Sequence, residues 1–210
     1  MKKHSTRLLF LSIVILLTSC ATGYKQIVPT ELNYQANELE SGVKISTKYD
    51  VLRLRGNSKY ANKEHKKGLK IVAVEITNLT DSVLMVGRDI EFYGGQQPLV
   101  LIDPKVMVST VKQSTLAYLP YLLLTFLQLN YTITESTSTT TYGTIPIGLV
   151  LGPGLSIGNI LKASNANKQL QEELLYYDLM DRSIQKGEKV YGIIGFRSKE
   201  YLPISAKIRK

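Results

Sequence analysis

Disulfides, tryptophan and a histidine-rich site are all missing from this chain: it holds one cysteine, no tryptophan and two histidines in 210 residues. A single cysteine excludes intramolecular disulfides, so whatever folds here is held by its core. Too few His and Cys remain for a zinc cluster, and no acidic loop of the calcium-binding type occurs. Gly152-Pro153-Gly154 is not a phosphate loop, because no Gly-Lys-Ser/Thr follows it. Charge is missing locally too. The apolar runs Leu116–Leu129 and Thr144–Leu161 contain no charged residue, and Glu135 is the only charge in the Thr- and Ser-rich bridge Thr132–Thr144.

What is present begins at the N-terminus. A basic stretch (Lys2, Lys3, Arg7) precedes an apolar run from Leu8 to Leu17, interrupted only by Ser12. About ten apolar residues are too few to cross a bilayer, which takes roughly 20. Basic, apolar and then small residues in that order predict a secretory leader over residues 1–19. The leader holds three of the 26 Lys+Arg and none of the 17 acids, so its removal lowers the formal charge from +9 to +6. A modest positive balance suits solubility and an anionic surface alike. Export separates the chain from nucleic acid, which is therefore not an expected partner.

The four residues Leu17-Thr18-Ser19-Cys20 resemble a bacterial lipobox. That resemblance implies lipidation of Cys20, whose thiol would receive a diacylglycerol (palmitate-type acyl chains) and become the first residue of the mature chain. Two or more acyl chains give stable anchoring where one does not. Ala21 stands where an aspartate would resemble the inner-membrane retention signal of enterobacteria. No acidic cluster of the kind seen in surface-exported Bacteroidota lipoproteins follows Cys20. Both points imply an outer-membrane, periplasm-facing protein whose partners are the membrane, through its anchor, and an envelope protein.

The patterning predicts an α+β fold, mainly β with a helical insertion. Residues 20–40 read as a polar, lipidated tether with Pro29 and no apolar periodicity. Val43, Ile45, Thr47, Tyr49 and Val51 alternate with polar residues and predict a strand that bends near Val51. Residues 56–68 read as a basic loop. Leu69–Thr77, a turn at Asn78-Leu79-Thr80-Asp81, and Ser82–Val86 predict two closely spaced strands with a polar turn between them. Lys189–Phe196 and Leu202–Ile208 supply two later strands. Residues 41–104 and 187–210 are thus expected to be two parts of one antiparallel sandwich, opened by an insertion over 105–186. The stretch Lys70–Phe92 resembles Ig-like accessory domains of bacterial envelope proteins, and Ala163–Asp181 is similar to a segment of uncharacterised Bacteroidota lipoproteins.

Within the insertion, Leu116–Leu129 and Thr144–Leu161 predict an apolar helical hairpin packed on the sandwich; a patch resting on lipid and a true span are the alternatives. Gly148 and Gly152, and Gly154 and Gly158, sit four apart, a spacing that lets backbones approach closely. Leu170, Leu174, Leu175 and Leu179 predict an amphipathic helix over Asn165–Met180.

No catalytic residue and no cofactor are expected. The one histidine outside the leader, His65, lies among Lys63, Glu64, Lys66 and Lys67, a poor setting for a base oriented by a buried carboxylate. Glu172, Glu173, Asp178 and Asp181 concentrate acid, yet Glu172 and Glu173 point about 100° apart on a helix and do not form a hydrolytic pair. Asp81-Ser82-Val83 resembles the three-residue O-glycosylation site of Bacteroidota and makes Ser82 a candidate. The expected function is a non-catalytic binding or scaffolding module of the envelope. A membrane-active protein, whose residues 116–161 enter or lie on the bilayer, is the alternative class, ahead of an envelope hydrolase.

Overall fold

β-Branched residues on both sides of the insertion come together in one core. The computed structural model describes residues 20–34, 36–40, 42–134 and 140–209; the expected leader, residues 1–19, and Glu135 lie outside them. In chain order the first elements are β1 (Ala36–Glu40), β2 (Val43–Lys48), α1 (Val51–Leu54), α2 (Ser58–Lys66), β3 (Leu69–Asn78), β4 (Leu84–Met85), β5 (Ile90–Gly94) and β6 (Gln97–Pro98). After them come α3 (Pro104–Val111), a 3₁₀ helix (Leu116–Phe126), β7 (Leu129–Thr134), β8 (Thr140–Ile145), α4 (Gly148–Tyr176), β9 (Ser183–Ile184), β10 (Lys189–Arg197) and β11 (Ile204–Ile208). The α+β class holds, with antiparallel pairing in every sheet.

The chain separates into two units. Among the described residues, a sheet unit comprises residues 24–112 and 167–209, and an apolar unit comprises residues 20–23 and 113–166. In the sheet unit the strand orders are β1-β2-β3-β10 and β11-β5-β6. β3 pairs with β10 from Leu69↔Arg197 to Thr77↔Lys189, and β5 pairs with β11 from Ile90↔Ile208 to Gly94↔Ile204. Strands that precede the insertion are therefore hydrogen-bonded to strands that follow it. Val72, Val74 and Ile76 of β3 share one buried cluster with Phe92 of β5, Ile204 of β11 and Phe196 of β10. Burying each such side chain contributes about 1.5–3 kcal/mol.

β3 is buried in its other phase as well, at Leu69, Ile71 and Ala73. Helices supply that cover. Glu64 of α2 accepts a hydrogen bond from the Ile71 N–H at 2.8 Å. Met107 of α3 fills the space over Gly195 of β10, where an added Cβ would come within 2.1 Å of its sulfur. α3 opens on Asp103, whose carboxylate accepts from Lys105 N–H at 2.7 Å, with Pro104 in the first turn.

Three local expectations change. Residues 56–68 are not a loop, because α2 occupies most of them. Its buried stripe is Tyr60, Ala61 and Glu64, and a glutamate in that stripe hides the helical period. The strand expected through Val51 ends at Lys48, and Val51–Leu54 forms one helical turn after Asp50 adopts a left-handed backbone (φ 56°). The residues after Cys20 are not a loose tether. Ala21 and Ile27 are buried and their backbone groups are bonded by side chains.

The insertion is also built differently from a helical hairpin. Leu116–Phe126 forms a 3₁₀ helix with Pro120 inside, and its inward residues Tyr118, Tyr121 and Leu124 recur every three positions, the period of that helix. The Thr-rich bridge becomes the β7–β8 hairpin, registered from Leu129↔Ile145 to Thr134↔Thr140, because alternating β-branched residues favour a pleat. The second apolar run and the expected amphipathic helix are one helix of 29 residues. No helix among the described residues is long and apolar enough to cross a membrane.

Candidate functional site

In the apolar unit, Cys20 is exposed and its Sγ lies 4.0 Å from the Tyr121 hydroxyl. The backbone that follows is bonded group by group. Ala21 N–H donates to Asn159 Oδ1 at 2.6 Å. The Gln113 amide takes Thr22 at both ends, with Thr22 N–H donating to Oε1 at 3.1 Å and Nε2 donating to Thr22 O at 2.8 Å. A primary amide that donates and accepts in one plane satisfies the Thr22 backbone as a neighbouring strand would. Gln113 and Asn159 are themselves buried, so these three bonds fix the backbone directly after Cys20. Ala21 packs with Tyr118, Tyr121 and Ala163.

The sheet unit treats the next residues in the same manner. The Asn57 amide takes Lys25, accepting from its N–H at 2.9 Å and donating to its carbonyl at 2.6 Å. The Glu173 carboxylate accepts from Ile27 N–H at 2.9 Å and Val28 N–H at 2.8 Å, and from the Tyr24 hydroxyl. Burial, then the negative charge of Glu173, pushes the Tyr24 phenol far above the usual tyrosine range. Arg55 Nε donates to Ile27 O at 2.8 Å. Sequence reasoning singled out Glu173 as one of a carboxylate cluster and missed Asn57, Gln113 and Asn159. Asn159 lies on the buried side of α4, whereas Asn57 and Gln113 flank α2 and α3 in segments without a periodic pattern.

The expected acidic residues are not brought together as a catalytic pair. Glu172 is exposed and faces Lys168 at 3.7 Å, whereas Glu173 is buried and occupied by the backbone bonds above. Asp178 accepts from Met180 N–H at 3.1 Å, and Asp181 holds a left-handed turn (φ 61°). Both edge an open cleft of about 400 Å³ floored by Met107, Leu179 and Ile194. His65 is exposed on α2. Its neighbour Glu64 is buried, and that burial raises its carboxyl to about 7, with Asp50 adding and Lys70 and Arg53 opposing. The pocket they share with Tyr201 holds about 40 Å³, room for a water rather than a substrate.

Ser82 is exposed in the turn after β3. Asn78, fully buried, braces that turn by donating to Ser82 O at 2.7 Å and Ile184 O at 3.0 Å while accepting from Thr80 N–H at 2.9 Å. Among the described residues no group of three His, Cys, Asp or Glu is placed to hold a metal. Compared with protein-family models, curated proteins and solved structures, the chain matches none significantly.

Proposed function

We propose that this chain is a non-catalytic lipoprotein of the bacterial envelope, anchored through acylated Cys20 and acting as a binding or scaffolding module. Its place is the outer membrane, facing the periplasm, and its partner is an envelope protein of unknown identity. The observation that carries this reading is the handling of the chain after Cys20. Four buried polar side chains (Gln113, Asn159, Asn57 and Glu173) are committed to backbone groups of residues 21–28. Gln113 and Asn159 fix the two residues directly after the cysteine, which supports reading that cysteine as an attachment point. The lipobox resemblance supplies the chemistry of the attachment.

The scaffold is read as an Ig-like sandwich, supported by two antiparallel sheets sharing a core and by the pairing of strands across the insertion. The exposed turn at Ser82 stands as the candidate for O-glycosylation.

Metabolic labelling with palmitate tests the anchor. Label should enter the native chain and be absent from Cys20→Ala, which should also accumulate with its leader attached. Cross-linking in intact cells followed by purification should then recover one stoichiometric envelope partner. Label in the Cys20→Ala variant would sink the anchor, and a chain recovered alone would sink the scaffold.

A further inference from the structure

The apolar unit is packed inside out. On α4 its buried positions are Gly148, Gly152, Ser156, Asn159, Ala163 and Ala166, spaced by four or three residues along one stripe. The large side chains of the same segment, Leu149, Val150, Leu155, Ile157 and Leu161, are all at least 40 % exposed. The 3₁₀ helix follows the same rule, with Tyr118 and Tyr121 inside and Leu116, Leu123 and Phe126 between 69 and 82 % exposed. Of the 24 exposed large apolar side chains among the described residues, 15 belong to residues 116–161. In water this order is unfavourable; in lipid it is the usual one, because small residues let backbones meet and apolar side chains face the tails. Gly148 and Gly152 show the close approach directly, since a Cβ at either would come within 2.2 Å of Leu124 O or 2.4 Å of the Thr125 hydroxyl.

Charge separates the occupants. Lys162 is the one charged residue among the described residues of this unit, so neither an acidic nor a basic protein surface finds a counterpart on it. The lipid anchor emerges from this same unit, at the cysteine directly before the backbone that Gln113 and Asn159 fix. From Gly148 to Leu161 the helix is about 20 Å long, shorter than the roughly 30 Å hydrocarbon core. An apolar segment of that length is too short to span.

We infer that residues 20–22 form a strap of fixed length that seats the apolar unit in the leaflet holding the acyl chains of Cys20, with lipid as the occupant of its exposed apolar surface. This rests on the anchoring proposed above. The strap makes the anchor and the apolar surface one membrane-binding device: acyl chains bring the surface to the leaflet, and the surface keeps the unit from swinging on them.

The test uses the full lipoprotein in phosphatidylethanolamine–phosphatidylglycerol vesicles. Acylation occupies Cys20, so Leu123→Cys, Phe126→Cys and Val150→Cys each carry one reactive thiol for a bimane dye. All three positions are exposed. Nitroxide-bearing phospholipid should quench each dye at least twofold, and aqueous iodide should quench it several-fold less than a free bimane adduct. Full access to iodide would overturn the inference, and so would shielding from both quenchers, which would point to a second copy or a protein partner. Adding Gln113→Ala with Asn159→Ala should shift the Phe126→Cys dye from lipid towards iodide; no shift would refute the strap. Intact mass separates the two readings. An unacylated Cys20 would sink anchor and strap together, whereas acylated protein with dyes in water would sink the seat alone.

Discussion

Glu173 takes the place that a neighbouring strand would hold: two consecutive backbone N–H groups and a phenol converge on one buried carboxylate. Removing it leaves the Ile27 N–H buried without an acceptor, at about 1–3 kcal/mol, and strips the partly buried Val28 N–H and Tyr24 hydroxyl of theirs at a lower cost. Glu173→Ala should therefore destabilise the sheet unit by about 2–4 kcal/mol, read as a lowered urea midpoint. Glu173→Gln keeps one acceptor and should cost less. Equal stability of native protein and Glu173→Ala would mean that residues 24–28 find other partners. Glu64 behaves in the opposite sense. Its folded pKa of about 7 lies above the ordinary 4.5 because burial disfavours the charge, so the folded state binds its proton more tightly than the unfolded one. Stability from this group is full below pH 4.5, declines between 4.5 and 7, and is flat above. Glu64→Gln keeps an oxygen for Ile71 N–H and should remove that decline, raising stability at pH 8 by about 1–3 kcal/mol over the native chain with little change at pH 4.5. Denaturation at both pH values decides it.

At the level of elements, the two glycine pairs on α4 had identical spacing in the sequence and have different surroundings in the fold. A Cβ at Gly152 would meet Thr125 N at 2.7 Å, backbone that cannot swing away; nothing lies within 4 Å of Gly154 or Gly158. Gly152→Val should cost about 1–3 kcal/mol through overpacking and speed amide exchange across residues 116–126. Gly154→Ala should gain up to about 1 kcal/mol from helix propensity. The strands of the sheet unit were legible because apolar residues alternate or cluster over short runs, as in Leu69–Thr77 and Lys189–Phe196. α2 was not, since its buried positions carry a tyrosine and a glutamate that only tertiary bonds satisfy. The bonding of the segment after Cys20 was illegible for a related reason. Residues 21–28 have no period of their own, and the side chains that bond them lie up to about 150 positions away. In the insertion, hydrophobicity was visible but its direction was not, because buried small residues and exposed large ones give the same composition as the reverse.

Across the whole molecule the same sorting appears as charge. After residue 19, all charged residues but Lys162 and Glu135 fall in the sheet unit, while large exposed apolar side chains concentrate in the other. Exposed apolar surface of that extent on one unit is far above what isolated surface leucines require, and surfaces of that kind commonly serve interaction. If the face serves binding and not folding, its side chains can be made polar without loss of stability, since substitutions at exposed positions usually change it by no more than about 0.5 kcal/mol. The triple variant Leu123→Gln, Phe126→Gln, Val150→Gln in the mature chain should then keep the native denaturation midpoint. It should also lose most of its association with detergent micelles or with other copies in sedimentation, where the native sequence associates. A midpoint lowered in step with the lost association would instead make these side chains part of a core that closes around them, and would refute an exposed face.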